Sequence, residues 1–227
     1  AFAVEDACAH VDAWLEVAHY RGWPTCIQTM AQECPMSIEP ISPAWVLVDE
    51  PLRLRPWQPR DAEDLLDAAR SSVASVGRWL PWCHAGYDLD EARTWISHCQ
   101  DGWSRGEHFA FPIFDLQTGE LLGGCGLNQL NHPHRSANLG YWVRQSRQGE
   151  GIAARAAALV ARFGFEQLGL IRIEIVVMPD NHASQRTAQK TGAHFEAVAR
   201  HRLWANGQAH DAAVYGLTPA DLPQPVQ

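Results

Sequence analysis

No apolar run in this chain of 227 residues is long enough to span a bilayer, so no membrane partner is expected. Cysteine is sparse and scattered. The residues Cys8, Cys26, Cys34, Cys83, Cys99 and Cys125 include no C-x-x-C pair, which argues against a zinc or disulfide framework and for reduced thiols in a cytoplasm. Positive charge is in deficit, with 18 Lys and Arg against 26 Asp and Glu and a formal net charge of −8. A surface of that sign argues against nucleic acid or anionic lipid as a partner. Neither the G-x-x-x-x-G-K-[ST] nor the G-x-G-x-x-G phosphate-binding spacing is present. His132-Pro133-His134 has no cysteine or carboxylate beside it and reads as a polar loop, so no metal is expected. Glu5, Asp6, Asp12 and Glu16 make the first residues unlike a signal peptide. No internal repeat is visible. The remainder, 46% hydrophobic and 19% charged, is ordinary for a globular protein of one or two domains.

Against that background one stretch stands out, Tyr141 to Arg155. It reads as the end of a strand, a short polar loop with Gly149 and Gly151, and an alanine-rich helix over about 150–168. The first N–H groups of a helix have no partner within it, and the helix dipole makes that end positive. Several such groups converging on a glycine turn form an anion site suited to phosphates. Arg144, Arg147 and Arg155 flank the turn and are expected to add charge to a diphosphate cradle.

The rest of the chain divides around this stretch. Residues 1–45 are expected to form an appendage: a helix carrying Val4, Ala7, Cys8, Val11, Trp14, Leu15 and Ala18 on one face, ending near Gly22, then a proline-containing linker over 24–44. Met30 or Met36 would serve as an alternative start. Residues 46–220 read as one domain and 221–227 as a tail. Within the domain, strands are expected at 52–57, 108–115, 120–128, 136–143, 172–178, 194–204 and 210–217. Helices are expected at 61–71, 88–103, 150–168 and 181–191, the second opened by a capping box in Asp88-Leu-Asp-Glu91. The order is β-α-α-β-β-β-α-β-α-β-β, an α/β (α+β) fold with one mixed sheet and an extra N-terminal helical segment.

Gln148-x-x-Gly151-x-Ala153 resembles the [RQ]-x-x-G-x-[GA] motif of GNAT acetyltransferases. Further stretches are similar to the RimJ/RimL subgroup, which includes ribosomal-protein N-terminal acetyltransferases. They are Arg78-Trp-Leu-Pro-Trp82, Leu139-Gly-Tyr-Trp-Val143, Gln148-Gly-Glu-Gly-Ile-Ala153, Arg172-Ile-Glu174, Asn181-His-Ala-Ser184, Lys190-Thr-Gly192 and Gly207…Asp211…Tyr215. The resemblance implies acetyl-CoA as co-substrate, with its diphosphate on the backbone of Gln148, Gly149, Glu150, Gly151, Ile152 and Ala153. It also implies a pantetheine arm lying along Trp142 and Val143, the Val143 N–H at the thioester oxygen, and Asn181 beside the CoA chain. Many GNAT enzymes carry a tyrosine where this chain has Ala188, so Ser184 is the residue implied to protonate the departing thiolate. Glu150 stands where a basic residue is common and should weaken phosphate binding unless it points to solvent. Ala193 replaces a usual phenylalanine.

The general base stays open among Glu174, Glu196, Asp211, His134, His201 and His210. Deprotonating an α-amine at pH 7 costs only about 1–1.4 kcal/mol, against about 4.6 kcal/mol for a lysine. A site without a committed base therefore suits a weakly basic amine. Trp79, Trp82, His84, Tyr87, Trp142 and Trp204 are candidates for the acceptor pocket. Three functions fit: acetyl transfer to a protein N-terminus or small amine, transfer of a larger acyl group such as succinyl, and silent acyl-CoA binding. A second copy of the chain is a candidate partner.

Overall fold

The structure, a computed structural model, describes residues 45–205 and 207–222. The helix expected near the N-terminus, the linker at 24–44 and all of the tail beyond residue 222 lie outside them.

One mixed sheet of eight strands forms the middle layer, in the order β1-β2-β3-β4-β5-β6-β8-β7. The strands are β1 (Leu47–Asp49), β2 (Leu52–Leu54), β3 (Phe109–Asp115), β4 (Leu121–Asn131), β5 (Ser136–Val143), β6 (Arg172–Val177), β7 (His194–Ala205) and β8 (Gln208–Leu217). The helices are α1 (Ala62–Arg70), α2 (Leu89–Arg105), α3 (Ile152–Gln167) and α4 (His182–Thr191). The expected order holds from β2 onward; the added strand is β1, paired antiparallel with β2. The strand expected to reach Trp57 stops at Leu54. Arg55 leaves the ladder to form two 2.7 Å hydrogen bonds with Asp61, and its guanidinium lies 4.6 Å from the centroid of the Phe114 ring. Among the described residues no helix is long and apolar enough to cross a membrane.

Strand alternation assigns each face a layer. Phe109, Phe111, Ile113, Leu127 and Leu139 face α3, which buries Ala156, Ala157, Val160, Ala161 and Phe163 against them. Gly164 permits that close approach, because a Cβ there would come within 2.9 Å of Leu127 Cδ1 and 3.1 Å of Ile173 Cδ1. On the other face Phe114, Leu121, Ala110 and Trp142 pack with Leu65 and Ala68 of α1 and Ile96 and Cys99 of α2. Helix α2 begins as expected: Asp88 accepts from the N–H groups of Asp90 and Glu91 at 3.0 and 2.9 Å, and Glu91 accepts from the Asp88 N–H at 3.0 Å. A cap of this kind contributes about 1 kcal/mol.

One irregularity in the sheet matters most for the site. Among the described strands β5 and β6 are the only parallel neighbours, joined by the α3 crossover, and they pair only through Ser136–Asn138 and Arg172–Glu174. Beyond that register the two strands part. β5 stays paired to β4 as far as Val143, and β6 stays paired to β8 as far as Val177.

Candidate active site

The parting of β5 and β6 opens a cleft of about 920 Å³, lined by residues from both faces of the sheet. On one side run Leu139 to Val143, on the other Ile175 to Met178. The Arg144 N–H donates to Leu122 O of β4 at 2.8 Å. Alternation along an extended strand then turns the N–H and C=O of Tyr141 and Val143 toward the cleft. The Val143 carbonyl already accepts from Gln148 Nε2 at 3.0 Å, and the same amide donates to Ser75 Oγ at 3.2 Å.

The expected phosphate loop closes one end of this cleft. Gly149 and Gly151 have φ of 88° and 79°, a region costly for any other residue, and no atom lies within 4 Å of where their Cβ atoms would be. Arg155 makes the first intrahelical bond of α3, to Gly151 O at 3.2 Å. The N–H groups of Ile152, Ala153 and Ala154 precede it and have no intrahelical acceptor. A glycine turn, unfilled Cβ positions and free N–H groups together fit a diphosphate.

The three arginines do not reinforce this cradle as expected. Arg144 is held by Asp67 at 2.8 Å and Glu120 at 3.1 Å, and Arg155 by Asp49 at 2.7 Å. Arg147 lines the cleft but is neutralised by Glu120 at 2.5 Å and Glu150 at 3.0 Å. Those carboxylates hold the Arg147 guanidinium still further above its usual range. The Glu150 side chain is thereby taken up by its neighbour. Of the candidate cofactor residues it alone does not line the cleft, whereas Trp142, Val143, Gln148, Gly149, Gly151, Ile152, Ala153, Asn181 and Ser184 all do. Of the Arg and Lys residues lining the cleft, Arg186 and Lys190 on α4 have no ion-pair partner among the described residues. Their place at the cleft depends on how α4 docks, which no local motif signals.

Ser184 lies at the first turn of α4, where its N–H donates to Asn181 Oδ1 at 3.1 Å, so Asn181 is the N-cap. Across the cleft the Tyr141 hydroxyl sits 2.9 Å from the Ser184 carbonyl and 3.1 Å from Ser184 Oγ. Its single proton goes to the carbonyl, which can only accept, leaving the phenol oxygen to receive the serine proton. Burial pushes the Tyr141 phenol well above its ordinary range, so it stays protonated. Sequence reasoning placed Tyr141 only as backbone; its side-chain role was hidden because the contact spans 43 positions. Ala188 is fully buried. Trp142 points the opposite way, onto Trp82 with ring centroids 5.3 Å apart. Gly124 makes room for it, since a Cβ there would fall 2.6 Å from the indole nitrogen.

None of the expected base candidates lines the cleft. Glu174 is bound by Arg172 at 3.1 Å and faces Arg202 at 3.6 Å, and Glu196 is bound by Arg172 at 2.5 Å. Asp211 accepts the His201 N–H at 2.9 Å, His210 contacts Ala205 O at 3.2 Å, and His134 sits in the β4–β5 turn. The cleft is instead lined, from α2 and the residues just before β3, by His98, Glu107 and His108. Among the proposed pocket aromatics Trp79, Trp142 and Trp204 line the cleft. Trp82 and Tyr87 pack behind Trp142, and His84 pairs with Glu91 at 3.2 Å.

A cleft between splayed strands, ending at a glycine turn and a helix N-terminus, is suited to an acyl donor that carries a diphosphate. A model of the acetyltransferase (GNAT) domain matches residues 51–194. The chain belongs to the GNAT acetyltransferases, and it is of the RimJ/RimL type. Bacillus subtilis YdaF is 29% identical over 172 residues, covering 75% of this chain and 92% of its own. Spermidine N(1)-acetyltransferase of Escherichia coli K12 is 33% identical over 94 residues, 41% of this chain and 50% of that one. Mycobacterium smegmatis RimJ in complex with CoA-disulfide is 30% identical, with a TM-score of 0.63 over 76% of this chain and 84% of that chain.

Proposed function

We propose that this N-acyltransferase moves an acetyl group from acetyl-CoA to a primary amine, a protein N-terminal α-amine or a small amine, by direct attack on the thioester. The observation that carries the reading is the Tyr141–Ser184 contact at 3.1 Å in the cleft where β5 and β6 part. In this reading the N–H groups of Ile152, Ala153 and Ala154 hold the diphosphate, and the open edge of Tyr141–Val143 holds the pantetheine. The Val143 N–H meets charge developing on the thioester oxygen. As the new C–N bond forms and the C–S bond breaks, Ser184 supplies the thiolate proton and regains one from solvent. The amine proton leaves to water, a step an α-amine permits because neutralising it costs only about 1–1.4 kcal/mol at pH 7.

The test is thiol release from acetyl-CoA across a panel of amines and N-terminal peptides, with acetyl-CoA binding followed by calorimetry. Gly151→Val puts a β-branched residue at φ 79° and blocks the turn. It should abolish acetyl-CoA binding while circular dichroism stays unchanged. Unaltered affinity would overturn the placement of the diphosphate, and no thiol release with any amine would overturn the reaction.

A further inference from the structure

The acceptor side of the cleft carries a feature that acetyl transfer alone does not require. Trp95 and His98, one turn apart on α2, pack in a tilted arrangement with centroids 5.6 Å apart and planes inclined by 36°. His98 stacks on His108, at 4.5 Å and 24°. The three rings form a ladder running from an exposed Trp95 down to a half-buried His108, and all three line the cleft.

The ladder depends on a specific residue. A Cβ on Gly102 would meet the His108 ring at 2.0 to 2.4 Å. Any other residue there would push the imidazole out of the stack. Burial, then the neighbouring His98, holds the His108 imidazole below its ordinary range, which keeps the inner ring uncharged near neutrality. Its Nε2 is buried and has no hydrogen-bond partner.

Apart from Glu107, the surroundings on this side of the cleft are uncharged. Gly124, Gly126 and Gly140 line the floor, beside Asn128 and Asn138, whose side chains bond to each other at 2.9 Å. Trp57, Trp79, Leu80 and Pro81 complete the wall. Among the described residues the one carboxylate lining the cleft is Glu107, and Arg105 holds it at 2.9 Å. A second ammonium on the acceptor would enter without a counter-charge, which is strongly unfavourable in a partly desolvated site. A polyamine therefore does not suit this wall, whereas a flat ring does.

We infer that the acceptor carries an aromatic group beside its single amine, and that the Trp95–His98–His108 ladder is the surface on which that group lies. The inference rests on the acyl-transfer reading and specifies its acceptor. The shared chemistry could reach the site as a small arylalkylamine or as a peptide whose first residue is aromatic. Stacking of a flat group on protein aromatics is worth about five- to a hundredfold in affinity.

The experiment compares kcat/KM for phenethylamine, n-butylamine and spermidine at saturating acetyl-CoA, in the full chain and in its Trp95→Ala and Trp95→Phe variants. A second arm compares the peptides Phe-Ala-Ala and Ala-Ala-Ala and identifies the source. The wild type should prefer the aromatic member of at least one arm by about fivefold or more. Trp95→Ala should erase that ratio and Trp95→Phe restore part of it, with acetyl-CoA affinity constant throughout. Trp95 is exposed, so the fold survives the change. A preference for spermidine, or a ratio indifferent to Trp95→Ala, overturns the inference. If no amine turns over while acetyl-CoA still binds, the acyl-transfer reading fails by itself. Calorimetry of phenethylamine against the CoA-loaded protein then decides the ladder: Trp95-dependent binding supports it, and no binding overturns it.

Discussion

Removing the Tyr141 hydroxyl tests the proposed chemistry more sharply than removing Ser184. In Tyr141→Phe the ring keeps its place and two contacts vanish, at 2.9 Å to the Ser184 carbonyl and at 3.1 Å to Oγ. A neutral hydrogen bond is worth about 0.5–1.5 kcal/mol net, so freeing the serine hydroxyl should lower kcat by about two- to twelvefold. Ser184→Ala removes the proton donor itself. A typical general acid is worth about a hundred- to ten-thousandfold, and here the effect should lie in or below that range, because a thiolate with a pKa near 8.5 leaves tolerably unaided.

The two changes must then be strongly coupled. If Tyr141 acts by holding the Ser184 hydroxyl, Tyr141→Phe should cost nothing further in the Ser184→Ala background. The assay is single-turnover thiol release with acetyl-CoA bound beforehand, so that chemistry is observed directly. Ser184→Cys should recover part of the rate, and acetyl-CoA affinity should change little in every variant. Equal loss from Tyr141→Phe in both backgrounds would refute the reasoning, since the tyrosine would then act independently of the serine. Full activity of Ser184→Ala, with chemistry rate-limiting, would reduce Ser184 to a helix-start residue.

Because Arg144, Arg147 and Arg155 are tied to carboxylates, the charge available to CoA phosphates should come from α4. Arg186→Ala with Lys190→Ala should weaken acetyl-CoA binding by about three- to thirtyfold, from about 0.3–1 kcal/mol per exposed charge, and flatten its salt dependence. Salt-independent binding in the wild type would contradict this. Asp61→Ala strands the Arg55 guanidinium, whose pair with Asp61 at 2.7 Å is buried, and should cost about 3–5 kcal/mol in a urea titration. A loss below about 1 kcal/mol would show the pair to be dispensable.

How much of this was legible in the sequence depended on the range of the signal. β5 was placed to the residue, and the capping box that opens α2 was found, because alternation and capping are local patterns. The glycine turn and the cap at Asn181 are local as well. The strand β1 was missed because three residues carry too little alternation to register. The arginines were misjudged for a different reason. A cation close to the loop in sequence is free to turn toward it or away, and Asp49, Asp67 and Glu120, distant along the chain, decided the direction. The ladder was equally invisible. His98 and His108 meet only because α2 turns back at Gly106, φ 67°, and because Gly102 leaves space for a ring.

The alternation of one strand explains why both halves of the reaction fit into a single cleft. Tyr141 and Trp142 are consecutive, so their side chains leave β5 on opposite faces. Tyr141 meets Ser184 on the α4 side, where the leaving group would be protonated. Trp142 packs with Trp82 toward the α1–α2 side, where the ladder and the neutral floor lie. Between them runs the backbone edge that β6 releases after Asn138. Attack on a carbonyl forms a tetrahedral intermediate that then expels the thiolate, and in the proposed reading the strand keeps the amine's approach and the serine proton on separate sides of it. A slip of one residue in the β4–β5 register would exchange the two faces and carry the Tyr141 hydroxyl away from Ser184. In the observed register Trp142 lies opposite Gly124, where a Cβ would fall 2.6 Å from the indole nitrogen.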